Sequence, residues 1–140
     1  MSRAISVHAR PRRLIGPVLS WAGVVGVVAL MQVWNPNKPS LFPACPWLTL
    51  TGFFCPGCGS TRAIHALAHA DLGMAMQRNP LAVIVFAVFL AGLARWTWRA
   101  WRGEPLRNLA HPWVLWAVIA VIPAYWVARN IPGWTWLSPL

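Results

Sequence analysis

Acidic side chains are almost missing from this chain: its 140 residues carry 2 Asp plus Glu against 12 Lys plus Arg. Charge of either sign is scarce too, at 10% of residues, where an ordinary soluble domain has about 25%. With 58% of residues hydrophobic, that scarcity argues against a water-soluble monomer. A formal charge of +10 would by itself suggest nucleic acid, acidic lipid or a topology signal. A nucleic-acid binder needs a large soluble basic face, however, and little of the chain is left to build one. A bilayer is the solvent that this composition fits.

Three runs are long enough to cross a hydrocarbon core about 30 Å thick, which takes about 20 apolar residues at 1.5 Å each. The first, 14–34, has no charge and stops at the breaker run Asn35-Pro36-Asn37-Lys38-Pro39. The second, 81–98, follows Asn79-Pro80 and runs into Arg95, Arg99 and Arg102, whose long stems extend its reach. The third, 112–128, contains Pro123, which kinks a helix unless neighbours satisfy the freed carbonyl. The apolar stretches 14–34, 81–94 and 112–128 carry no charged residue, which argues against a transporter or channel pathway within one copy. No small-x-small cleavage site closely follows the first run, so it reads as an uncleaved anchor despite the twin Arg12-Arg13 before it. Ala44-Cys45 resembles the end of a lipoprotein box, but Pro43 and the gap after the span argue against that reading.

Arginine placement gives an orientation. Arg3, Arg10, Arg12 and Arg13 precede the first span, and Arg95, Arg99, Arg102 and Arg107 join the second to the third. Lys38, Arg62, Arg78 and Arg129 lie on the other side. The expected layout is a basic cytoplasmic N-terminus (1–13), a first span (14–34), an extracytoplasmic Cys-rich loop (35–59) and a helix at 60–78. A second span (81–98), a basic cytoplasmic loop (99–111), a third span (112–128) and an extracytoplasmic tail (129–140) complete it. Many of the 11 Trp mark span ends, where an indole keeps its body apolar and its N–H wet: Trp34, Trp96, Trp98, Trp101, Trp113, Trp116, Trp126, Trp134 and Trp136.

All three cysteines lie between the first two spans. Cys55-Pro56-Gly57-Cys58-Gly59 reads as a tight turn that aims two sulfurs to one side. Ser60 or Thr61 is the expected N-cap of a helix continuing to about Arg78. On that helix Ile64, Leu67, Ala68, Leu72, Ala75 and Met76 form an apolar stripe, and Ala66, Ala70 and Gly73 a small-residue face. With Arg62, His65, His69, Asp71 and Gln77 it is too polar for a fourth span, so an interfacial or re-entrant position is expected.

Four chemistries compete for this segment. Cys45, Cys55 and Cys58 with His65 or His69 would make a Cys3His zinc site, although a second Cys-x-x-Cys knuckle is absent. Cys55 and Cys58 near a helix N-terminus and Arg62 would suit thiol–disulfide exchange, with Cys45 resolving and electrons coming from a quinone or a protein partner. A purely structural reading is a disulfide within the loop, which would leave one odd thiol, or buried free cysteines, with His65 and His69 facing the interface. A metal-dependent hydrolase on His65, His69 and Asp71 is disfavoured because Asp71 lies about 120° or more around the helix from both histidines. Asp71 is read instead as a partner of a nearby Arg, with Arg78 as the candidate. Arg62 and Arg129, at the outer interface, are candidates for pairing with lipid phosphate or a partner's acid, or for solvated snorkelling.

Cys45-Pro46, Leu50-Thr51-Gly52, the run CPGCGSTRA from Cys55 through Pro56, Gly57, Gly59, Thr61 and Arg62 to Ala63, His65, His69, Asp71 and Asn79-Pro80-Leu81 together resemble the signature of a family. It is a family of small bacterial membrane proteins known as domain of unknown function 2752. Arg129-Asn130-Ile131-Pro132 is similar to that family's closing motif. The resemblance implies the bacterial inner membrane and weight on these motif residues; it implies no activity. The expected protein is all-α, with three transmembrane helices plus one interfacial or re-entrant helix after a Cys-rich loop. Its expected role is binding or accessory, with an outer cap held by zinc or a disulfide. Its expected partners are the lipid bilayer and a membrane protein or a second copy, and not nucleic acid.

Overall fold

The computed structural model describes residues 10–36, 45–104 and 112–133. Lys38, Arg3, Arg107, Trp134 and Trp136, with the rest of the two ends and of the 99–111 connection beyond Glu104, lie outside the described residues. Among those described, all regular structure is helical: α1 (Arg10–Val33), α2 (Pro46–Thr51), α3 (Ser60–Ala68), α4 (Leu72–Arg78), α5 (Pro80–Arg102) and α6 (Pro112–Arg129). Three of them, over Arg13–Val33, Pro80–Arg102 and Pro112–Arg129, are long and apolar enough to cross a bilayer. At 1.5 Å per residue they reach about 31, 34 and 27 Å, which fits a multi-pass membrane protein. Pro17 and Pro123 lie inside α1 and α6 without ending either helix.

α1 and α5 pair through a small residue and a polar bridge. Gly16 faces Trp96 so closely that a Cβ there would lie 3.0 Å from two atoms of the indole, so Trp96 packs against α1. Trp21 donates from Nε1 to Thr97 Oγ1 (3.0 Å), and Thr97 passes its own proton to the Leu93 carbonyl (2.8 Å). In hydrocarbon each indole N–H needs such a partner. At the basic end Arg13 donates to the Gly103 carbonyl (3.0 Å), Arg99 pairs with Glu104 (3.1 Å) and Arg102 lies 4.6 Å from the Trp98 ring centroid.

At the opposite end α2, α3 and α4 fill the connection between α1 and α5. Ala63, Ala66, Ala75 and Val83 form a small buried cluster against Leu67 and Ala82, which joins α3, α4 and α5. His65 and Gln32 tie α3 to the end of α1 by donating to the carbonyls of Met31 and Ala68 respectively.

The helix expected over 60–78 is two helices. α3 ends at Ala68, and Ala70 takes φ +59, the left-handed conformation. The Asp71 N–H reaches the Ala66 carbonyl (2.9 Å) and the Ala70 N–H the Leu67 carbonyl (3.0 Å), a Schellman closure with alanine where glycine is usual. Asp71 then opens α4, its carboxylate accepting from the Met74 N–H (2.8 Å). Breaking the helix also scatters the expected faces: Ala66 and Ala75 are buried, whereas Ala70, Leu72, Gly73 and Met76 are exposed. The expected cap is corrected as well. Gly59, with φ +81, holds the N-cap position of α3 without a side-chain cap bond.

Candidate metal centre

Cys45 sits immediately before Pro46, whose fixed φ suits the first position of α2. α2 closes at Gly52 in the left-handed conformation, and the chain then turns into Cys55-Pro56-Gly57-Cys58. There the Cys58 N–H donates to the Cys55 carbonyl (3.1 Å), while the Cys55 N–H points at Cys58 Sγ (3.3 Å). The turn therefore folds its two sulfurs together, and α2 supplies the third.

Cys55 Sγ lies 2.9 Å from Cys58 Sγ and 3.5 Å from Cys45 Sγ. All three sulfurs fall within 4.8 Å of one another, and all are free thiols. Thiolates arranged tetrahedrally at about 2.3 Å from a zinc ion would lie about 3.8 Å apart, so small side-chain adjustments would bring this triangle onto one ion. Cys58 is buried, whereas Cys45 and Cys55 are partly exposed. Their chemistry divides accordingly. The Leu48 N–H near Cys45 draws its pKa below the ordinary thiol value, while burial pushes Cys58 up to about 12.

The histidines do not join the sulfurs. His65 donates from Nδ1 to the Met31 carbonyl (2.6 Å), and His69 from Nδ1 to the His65 carbonyl (2.9 Å). Their rings lie 4.4 Å apart. The metal-capable group of this region consists of the cysteines alone, so the Cys3His set expected from the sequence lacks its histidine in this geometry. Asp71 caps α4 and supplies no ligand. Arg62, on α3 three residues before His65, is engaged in contacts of its own.

Three residues from the ends of α5 and α6 clamp the Cys55 turn. Asn79, fully buried, donates from Nδ2 toward the Pro56 carbonyl (3.0 Å), the Cys58 carbonyl (3.2 Å) and Ser60 Oγ (3.1 Å). Its Oδ1 accepts from the Ala82 N–H (3.0 Å) and the Tyr125 hydroxyl (3.0 Å). Asn130 pairs reciprocally with the Phe54 backbone, accepting its N–H at 2.8 Å and donating to its carbonyl at 2.9 Å. Arg129 is 2% exposed and donates to the carbonyls of Cys55 and Pro56 (both 3.4 Å) and of Arg78 (3.2 Å). The outward-reaching Arg129 expected from the sequence is therefore an inward-facing clamp. Trp47 meets Trp126 edge to face, with centroids 6.0 Å apart, which seats α2 on α6.

The motifs include Asn79 and Asn130 without assigning either a structural task, and they point Arg129 outward, not at the Cys55 turn. The available signal was position: polar side chains at the ends of apolar spans, where a hydrogen-bonding side chain without a partner is costly.

Residues 45–93 match the model of the family described as Protein of unknown function (DUF2752). The match supports the family resemblance from Cys45 to Leu93, which lies within α5, and leaves the closing Arg129-Asn130-Ile131-Pro132 outside it. No curated protein and no solved structure matches the chain.

Proposed function

We propose that this protein is a membrane-anchored binding or accessory module whose Cys-rich cap, on the extracytoplasmic face, holds a thiophilic metal ion. The carrying observation is the convergence of Cys45, Cys55 and Cys58 within 4.8 Å, in a loop clamped at Phe54, Cys55, Pro56 and Cys58. Zinc suits the donor set, since its sites are built from thiolates held at short range and it needs no redox partner. A bound ion would also lock a cap that buries little apolar surface of its own. Sidedness follows from the charge pattern: Arg13, Arg95, Arg99 and Arg102 gather toward the end of the α1–α5 pair away from the cysteines, which favours that end as cytoplasmic. The cap would present the ion to a membrane partner or a second copy.

One observation favours a second reading. Cys55 lies within reach of both other sulfurs, so it could form a disulfide with either. In that reading two thiols close to a disulfide, releasing two protons and passing two electrons to a quinone or a protein disulfide.

Purified protein separates the two. The metal reading expects about one equivalent of zinc, lost in Cys58→Ser. Metal-free protein in which Cys55→Ser or Cys58→Ser traps a mixed disulfide would replace it with the redox reading. Labelling of intact cells with a membrane-impermeant thiol reagent tests sidedness. Reaction that appears only after a chelator is expected, and reaction only after lysis would reverse the topology.

A further inference from the structure

We infer that an ion held by Cys45, Cys55 and Cys58 keeps its fourth coordination position open, and that this position takes a neutral nitrogen or sulfur donor from another molecule. The inference rests on the three-thiolate reading above. Its ground is that, among the described residues, the group of ligand side chains able to hold a metal ion consists of these three cysteines alone.

The described histidines and the two acids are placed elsewhere. Asp71 is committed to the start of α4. Glu104 pairs with Arg99 at the far end of α5 (3.1 Å). His65 and His69 lie with ring centroids 4.4 Å apart and ring planes tilted by 48°, both Nδ1 atoms on carbonyls, outside the sulfur group.

Three protein ligands with a fourth place left for an exchangeable one is the open form of a zinc site, whereas structural sites are closed by four. Access agrees with this, because Cys45 and Cys55 are partly exposed and only Cys58 is buried. Charge selects the class of donor. Three thiolates and one divalent cation leave a single negative charge, and the buried Arg129 guanidinium on the Cys55 and Pro56 carbonyls places a positive charge beside them. An anionic fourth ligand would add a second negative charge with the guanidinium already matched; an imidazole or thioether would add none.

The test is a titration of cobalt-loaded, full-length protein in detergent with imidazole. Sulfur-to-cobalt charge-transfer bands report the thiolates, and the visible ligand-field bands report the fourth position. A saturable shift of the ligand-field bands with the charge-transfer bands retained is the expected result, from a starting spectrum that His65→Gln and His69→Gln leave unchanged. A starting spectrum altered by either histidine variant would mean that a histidine closes the site. Charge-transfer bands without any ligand-field shift, or bands that fade as imidazole strips the ion, would overturn the open position. Absence of charge transfer on adding cobalt would instead remove the metal reading on which the inference rests.

Discussion

Cys45 and Cys58 share one cluster but not one chemistry. Backbone N–H groups favour the thiolate of Cys45, while burial holds Cys58 as a thiol, with its pKa raised to about 12. Since the thiolate is the nucleophile, iodoacetamide should modify Cys45 well before Cys58 in reduced, metal-free protein near neutral pH, as read by peptide mass spectrometry. Equal rates would show that the burial is not felt at the sulfur. The sign for stability follows from linkage. A raised thiol pKa means that the fold prefers the protonated form, so Cys58's contribution is intact below the ordinary value of 9.0 and is lost as pH climbs from there toward 12. Asn79 makes a second prediction at this scale. Asn79→Ala strands the Tyr125 hydroxyl and removes the donor from three acceptors, at a cost of about 3 kcal/mol. Asn79→Asp keeps the shape but turns a carboxylate toward the Pro56 and Cys58 carbonyls, so it should lower the thermal midpoint at least as much. An Asp variant as stable as the parent would show that Nδ2 is not the working group.

Helix ends explain both what was legible in the sequence and what was not. The three spans could be read because apolar runs bounded by Asn35-Pro36, Asn79-Pro80 and arginines leave little choice of structure in a bilayer. The break at 69–71 could not, because a Schellman closure normally advertises itself with glycine and here Ala70 takes that place. Ala70 is exposed, so Ala70→Gly removes the strain of a left-handed alanine without losing a packed contact. It should stabilise the protein by about 1 kcal/mol, seen as a higher thermal midpoint in detergent. The convergence of the cysteines was foreseen as a set of residue types, but their support was not. Hydrogen bonds from Asn79 and Asn130 to a loop 21 to 76 positions away leave no local pattern. Asn130→Ala tests that support. It frees the Phe54 backbone while leaving every sulfur in place, so cobalt affinity should fall about tenfold, the range seen when groups that orient metal ligands are removed, with helicity by circular dichroism unchanged.

Among the described residues, the α1–α5 contact and the cysteine cap lie at opposite ends of α1. Along α1, Gly16 and Met31 are 15 positions apart, about 22 Å at 1.5 Å per residue; the first packs on Trp96 and the second receives His65. The basic end joins α1 to α5 through a close helix contact, and the cysteine end joins α5, α6 and the cap through hydrogen bonds. Sites this far apart with no shared partner should contribute independently to stability. Gly16→Val places methyl groups against an indole already 3.0 Å from the first added carbon, so it should destabilise the protein by about 1–3 kcal/mol. Because the added bulk lies far from the sulfurs, the cobalt charge-transfer spectrum should stay as it was. Combined with Asn79→Ala, its effect on the unfolding free energy in detergent should add to within about 0.5 kcal/mol. A larger discrepancy, or a cobalt spectrum altered by Gly16→Val alone, would mean that the α1–α5 contact reaches the cap through the helices and that the two ends work as one.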